Sequence, residues 1–312
     1  MSNSDFSTKD DIYFDLLPFL SYLYQRLLRI ICISVLIGLI SIFYALSVPN
    51  KYTSDAVLKI VENQASPSSS IASSLGSLGS IAGLSLGNQS NNASLAIQTI
   101  NSRDFFSDLT DETKNSNFIF LTALNKFDFK NNKFIFNDTI YDSENKVWLS
   151  DDGKNLKPTF LEAYKIYSDS LNITKNKESG YLYISFEHFS PFFARDFLDQ
   201  VITLLDLTIR SNDLKDSNDR LDYLIEASKT ESNSDLKNSI TQLIYLEHKK
   251  QVSANVSRSY FVEVIDSPHL PEKKSFPRRS IICIVITIFG VGIMLLFDLI
   301  RFIISTRQAL GN

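Results

Sequence analysis

Apolar and polar residues alternate with a different period in each part of the chain. From Ile30 to Val48 nineteen consecutive residues, IICISVLIGLISIFYALSV, carry no charge. A helix rising ~1.5 Å per residue crosses a ~30 Å hydrocarbon core in about 20 residues, so the block predicts a transmembrane helix over 30–48. A second uncharged block, IICIVITIFGVGIMLLF, spans Ile281–Phe297. Leu299, Ile300, Phe302, Ile303 and Ile304 continue it past Asp298 and Arg301, which predicts a second span over 280–304. The first block does not read as a cleaved signal, although Ala45-Leu46-Ser47 resembles a cleavage site. The segment before it is long and opens with Asp5, Asp10, Asp11 and Asp15, where a signal needs a short basic region.

Between the blocks the period shortens in three places. Lys51–Glu62, Gly180–Glu187 and Ser259–Asp266 alternate in the manner of half-buried strands; in the second, Leu182, Ile184 and Phe186 face one way and Tyr181, Tyr183 and Ser185 the other. The first strand follows span one and the last precedes span two, so pairing them in one sheet would gather both ends of the domain. Elsewhere the pattern is helical, over Ala93–Thr110, Thr159–Ser168 and the long stretch opened by Pro191. No glycine or proline occurs between Pro191 and Pro268, and the polar string Thr230–Asp235 divides that stretch. Two long helices around a polar tip make an antiparallel hairpin. Residues 63–92 are rich in Ser, Gly and Asn and read as a loop. Asp266–Arg279, with Pro268, Pro271 and Pro277, reads as a stiff connector.

Composition narrows the chemistry. Residues 51–279 hold 26 Lys/Arg against 30 Asp/Glu, a balance that offers no basic face to a nucleic acid. Cys32 and Cys283 both lie in the apolar blocks, so the domain between has no thiol nucleophile, disulfide or thiolate metal site. His188, His248 and His269 make no metal-ligand spacing. His188, at a strand end, reads as structural rather than catalytic. No Ser/His/Asp or paired-carboxylate arrangement stands out, and neither a cofactor nor a nucleic-acid partner is expected. Arg26 and Arg29 before the first span, with Arg301 and Arg307 after the second, favour both termini in the cytoplasm. Lys273, Lys274, Arg278 and Arg279 oppose this, but a domain of this size is largely exempt from the positive-inside bias.

Several short pieces occur in a telling order: Tyr52-Thr53-Ser54 after the first span, Ala82-Gly83-Leu84 in the loop, and Ser102-Arg103-Asp104-Phe105 in a helix. Gly180 then opens a strand that ends before Pro191. Phe261-Val262-Glu263-Val264-Ile265-Asp266 leads into Pro268-x-x-Pro271-Glu272-Lys273 and Pro277-Arg278-Arg279. In this order they resemble the Wzz-type chain-length determinants, the polysaccharide copolymerases of bacterial surface glycan assembly. The resemblance implies an α+β fold, with two transmembrane helices flanking a periplasmic α/β base and a long helical hairpin projection. It divides the chain into a cytoplasmic segment 1–29, span 30–48, periplasmic domain 49–279, span 280–304 and cytoplasmic tail 305–312. Within the domain the base takes 51–190 and 259–267, the projection 191–258 and the proline-rich connector 266–279.

The resemblance further implies a non-catalytic homo-oligomer of the inner membrane, acting beside a Wzy-type polymerase on a polyprenyl-diphosphate-linked glycan such as O-antigen. Some relatives carry a fused tyrosine kinase; the 312 residues here contain no G-x-x-x-x-G-K-[ST] loop, so none is expected. Candidate polymerase or oligomer contacts are Pro268, Pro271, Pro277, Gly290, Gly292, Asp298 and Arg301. Asp298 has two readings, a functional intramembrane charge or a boundary residue paired with Arg301. The second span has no G-x-x-x-G. The same layout also fits a periplasmic ligand sensor, or the membrane adaptor of a separate cytoplasmic kinase.

Overall fold

A computed structural model describes residues 27–61, 89–111, 113 and 116–310. The segment before the first span, most of the Ser/Gly-rich loop with Ala82-Gly83-Leu84, and Arg26 lie outside the described residues. The chain forms two compact units, Asn50–Ser275 and the two terminal segments together.

The terminal unit consists of α1 (Leu27–Ser47) and a long C-terminal helix packed against it. The body begins with β1 (Tyr52–Ile60), whose buried positions alternate strictly with more exposed ones. Two helices follow, α2 (Gln89–Ile100) and α3 (Arg103–Leu109), where the pattern of Ala93–Thr110 predicted one. Ser102 makes the break. Its backbone is extended, and its Oγ accepts the Phe105 N–H at 3.2 Å, capping α3.

Next come α4 (Asn117–Ala123), the hairpin β2 (Leu124–Asp128) and β3 (Lys133–Phe136), and two small hairpins, β4 (Tyr141–Asp142) with β5 (Val147–Trp148) and β6 (Ser150–Asp151) with β7 (Lys154–Asn155). The helix α5 (Phe160–Ser170) starts on a full capping box, Thr159 with Glu162. The strands β8 (Leu171–Lys175) and β9 (Leu182–His188) precede α6 (Pro191–Thr230). Ser190 caps α6 and Pro191 opens it, where a missing N–H is harmless. At ~1.5 Å per residue its 40 residues extend about 60 Å. Asn233 caps α7 (Ser234–Val256), so the tip between the helices is three residues, 231–233, shorter than the six-residue polar string predicted. The chain ends with β10 (Val262–Asp266) and α8 (Arg279–Leu310), which stays helical past residue 304.

The main sheet is antiparallel throughout, in the order β10-β1-β9-β8. β1 therefore pairs directly with β10, Ile60 opposite Val262 and Leu58 opposite Val264. The Ser275 N–H donates to the Lys51 carbonyl at 2.9 Å, so the two ends of the body lie side by side. One face of the sheet takes the first half of α6. Phe193, Phe197, Val201, Leu205 and Ile209 bury there against Leu58, Ile184 and Phe186. Phe106 completes the core, its ring 5.0 to 5.6 Å from those of Phe160, Tyr164 and Tyr167. Beyond Ile209 the packing thins. Of the rest of α6 only Ser217 and Leu221 are buried, and α7 buries only Glu247 and Ala254.

Candidate functional site

Three places carry the candidate residues. The first is the helix pair. Gly290 on α8 sits so close to α1 that a methyl group there would lie 2.9 Å from Ile37 Cγ2. Gly292 meets nothing within 4 Å on the same test. The small residues that allow close approach are otherwise on α1. Ser41 and Ala45 are buried, Ser41 Oγ donates to the Gly38 carbonyl at 2.8 Å, and Gly38 faces Thr287. Gly38, Ser41, Cys283 and Thr287, with Ile42, Ile284 and Ile288, line a groove of about 380 Å³. Asp298 is buried on α8, 5% exposed, while Arg301 is exposed. Both helices have the length and composition to cross a membrane, over Leu28–Ser47 and Arg279–Arg301.

The second place is the proline-rich connector. Within the body it continues the direction of β10 along β1. Ser54 Oγ donates to the His269 carbonyl at 2.9 Å, His269 Nε2 lies 3.6 Å from Asp55 Oδ1, and Ser275 reaches Lys51. Pro268 and Pro271 cannot donate to a ladder; the β10 ladder stops at Asp266, and the Ser54 side chain and the Ser275 N–H fasten the connector beyond it. Pro268 is half-buried and Pro271 buried. In the terminal unit Pro277 is buried, and the Phe276–Pro277 bond is cis.

The third is the return of α7 into the sheet, which sequence reasoning missed. Asp206 Oδ1 accepts the N–H groups of Tyr260, Phe261 and Val262, at 3.0, 2.7 and 3.1 Å. Its Oδ2 takes Arg210 Nη2 at 2.7 Å, and Arg210 also donates to the Arg258 carbonyl. About two turns along α6, Asp213 accepts from Tyr260 Oη at 2.8 Å and Lys250 Nζ at 2.7 Å. Further out, buried Ser217 donates to Glu247 Oε2 at 2.8 Å, with Arg220 3.6 Å from Oε1. The only sequence signal for these contacts is acids recurring on a helix, which by itself reads as a solvated face.

His188, expected to be structural, is buried at the end of β9. Its Nε2 lies 3.2 Å from the Phe120 carbonyl, and its Nδ1 accepts the Ser190 N–H at 3.3 Å. Nδ1 as acceptor leaves Nε2 as the protonated donor. Burial pushes the imidazole pKa down to about 3, so the ring is neutral. Burial likewise raises the Tyr167 phenol, which donates to the Ile100 carbonyl at 2.9 Å. Among the described residues no group of three His, Cys, Asp or Glu side chains gathers to hold a metal ion.

These features define a class: an α+β body with a long helical hairpin, flanked in sequence by two apolar helices long enough to span a bilayer. Residues 12–113 match the model of the Wzz family, described as chain length determinant protein. That match bears out the resemblance read from the sequence. No curated protein matches the chain. Among solved structures it is similar to a full-length bacterial polysaccharide co-polymerase, at 14% identity and a TM-score of 0.39, covering 94% of this chain and 99% of that one. It is also similar to a fragment of WzzB, a polysaccharide co-polymerase from Salmonella Typhimurium, at 14% identity and a TM-score of 0.29, covering 73% and 100%.

Proposed function

We propose that this chain is a non-catalytic, oligomeric regulator of the bacterial inner membrane that sets the chain length of a surface polysaccharide, O-antigen or a related glycan, made by a Wzy-type polymerase. The Wzz family match over residues 12–113 carries the reading. The fastening of Ser275 to Lys51 supports it, because chain connectivity then makes the body a closed loop between two spans. In this reading both termini are cytoplasmic and the body periplasmic. The growing glycan is held on its polyprenyl-diphosphate carrier, and the protein acts by shape and assembly rather than by bond chemistry. Pro268, Pro271, Pro277, Gly290, Gly292, Asp298 and Arg301 are the proposed contacts to polymerase or neighbouring copies. Deleting the gene is expected to replace a preferred glycan length with a broad distribution on a gel; an unchanged ladder refutes the reading.

A further inference from the structure

We propose that the β2–β3 hairpin is an interfacial anchor, its tip entering the headgroup layer of the bilayer that holds the chain's own spans. Phe129 is the inserted side chain, and Lys126, Lys130 and Lys133 meet lipid phosphates. The inference rests on α1 and α8 being membrane spans.

Position is the first argument. The body is joined to both flanking helices at neighbouring points, Lys51 and Ser275. The Phe129 ring lies 5.2 Å from the ring of Tyr52, the next residue after Lys51. Tyr52 follows Ser47, the last residue of α1, by five residues, and five extended residues reach about 17 Å at most. Phe129 thus packs on a residue that the chain ties to the end of α1 by a five-residue tether.

Construction is the second. The tip is a built turn. Asp128 Oδ1 accepts the Lys130 N–H at 2.9 Å, and its Oδ2 accepts Asn131 Nδ2 at 2.7 Å. Asn132 takes a positive φ of 49° to close the loop. The same hydrogen bonds hold the Asp128 carboxyl below the usual carboxylate range, so it stays ionised and the turn stays shut. Phe127 meets Phe129 edge-on at 4.8 Å, fixing the ring on one side. The ring is still 54% exposed, at the apex of an otherwise polar turn. An interface would take that apolar surface out of water.

Charge is the third. Lys126, Lys130 and Lys133 are exposed, and Asp128 is the hairpin's one acid, so residues 124–136 carry three positive charges against one negative. An aromatic flanked by lysines suits a membrane interface, where the ring sits at headgroup level and lysines are attracted to anionic lipid. A soluble phosphate would use the lysines but leave the phenylalanine without a role.

The test uses the full chain in vesicles of phosphatidylethanolamine and phosphatidylglycerol. In a Cys32→Ser, Cys283→Ser background, Phe129→Cys carries an environment-sensitive fluorophore, and lipids spin-labelled near the headgroup act as quenchers. The label is expected to lose about half its emission or more, as a shallow interfacial site requires, whereas one at Ser232→Cys on the helical tip loses none. Lys130→Cys, which keeps the Phe129 ring, must give the same answer as Phe129→Cys. Reversing Lys126 and Lys133 to Glu must raise quenching of the 129 label by neutral acrylamide about twofold. A label on native Cys283 tests the span itself. Lipid quenching at 283 without quenching at 129 and 130 overturns the anchor and leaves the spans standing. Acrylamide access unchanged by the reversals overturns the role of the lysines. Absence of quenching at 283 overturns the membrane reading, and the anchor with it.

Discussion

The carboxylate of Asp206 lies 2.7 Å from the backbone nitrogen of Phe261, a residue 55 positions further along the chain. The same oxygen takes the N–H groups of Tyr260 and Val262, so three consecutive amides point at one anion. Such a run of amides is an anion-binding concavity, here filled from within the protein. It ties the part of α6 that packs on the sheet to the residues where the chain leaves α7 and enters β10. The hairpin's outgoing and returning limbs are thus fastened where they meet the sheet, whatever the distal part does.

Removing that carboxylate leaves three amides competing for solvent in a half-closed site. Asp206→Ala is expected to lower stability by about 2–4 kcal/mol, since hydrogen bonds to a charged group are worth about 1.5–3 kcal/mol each and water replaces part of the loss. Asp206→Asn keeps an acceptor oxygen and should lose less. The denaturant midpoint of the detergent-solubilised chain is the measurement. A midpoint for Asp206→Ala equal to that of the parent would contradict the fastening.

Gly290 and Gly292 are two residues apart and should behave differently. A side chain at 290 runs into Ile37, while one at 292 meets open space. Gly290→Leu is therefore expected to lower the thermal midpoint in detergent by several degrees, and Gly292→Leu to leave it within error. Ile37→Ala in the Gly290→Leu background should restore part of the loss by making room. Equal effects at 290 and 292 would remove the case for close approach through Gly290.

The contrast between residues that announced themselves and residues that did not has a physical basis. β1 and β9 were legible because each lays one face on a core, so Ala56, Leu58 and Ile60, or Leu182, Ile184 and Phe186, recur with period two. β8 was not, because its sequence Leu-Asn-Ile-Thr-Lys sits at an edge and buries nothing fully. The hairpin of β2 and β3 was hidden for another reason: its strands are only five and four residues long, and its turn rests on Asn132, whose conformation no hydrophobic pattern reports. The break between α2 and α3 turns on the Ser102 hydroxyl, indistinguishable in sequence from one on a polar helix face. Among the site residues, glycine and proline could be singled out because they are chemically unusual wherever they fall. Asp206, Asp213 and Glu247 gave no such signal, since each acts through partners about 30 to 56 positions away.

Glu247 is the one buried acid of the helical hairpin among the described residues, 7% exposed, held by Ser217 and approached by Arg220. A buried charge left without its partners is costly, whereas replacing the whole arrangement by apolar groups of similar size is often neutral or better. Ser217→Ala with Glu247→Leu is therefore expected to match or exceed the parent in stability, while Arg220→Ala with Ser217→Ala, which strands the carboxylate, should lower it by about 1–3 kcal/mol. Because α6 and α7 have few other buried contacts beyond Ile209, the loss should show first as faster amide hydrogen exchange near residues 217 and 247. A uniform change across the body would contradict that local assignment.

His188 sets an acid limit on the body. Its folded-state pKa, lowered to about 3 by burial, lies below the 6.5 of the unfolded chain. As pH falls through 6.5 the unfolded chain gains a proton that the folded one refuses. The stabilisation from the neutral ring is therefore complete above about pH 6.5 and is lost progressively as pH falls toward 3. At pH 5 the gap of about 1.5 pH units below 6.5 corresponds to roughly 2 kcal/mol. The nearby charge of Lys51, paired with Glu187 at 3.0 Å, also disfavours the imidazolium. His188→Gln cannot titrate. It should be less stable than the parent at pH 7, because the fit to Phe120 and Ser190 is lost, yet show a shallower fall in denaturant midpoint between pH 7 and pH 5. Carboxylates elsewhere affect both proteins alike, so the difference between the two slopes isolates the imidazole. Parallel slopes would mean that His188 takes up its proton in the folded state, which its burial opposes.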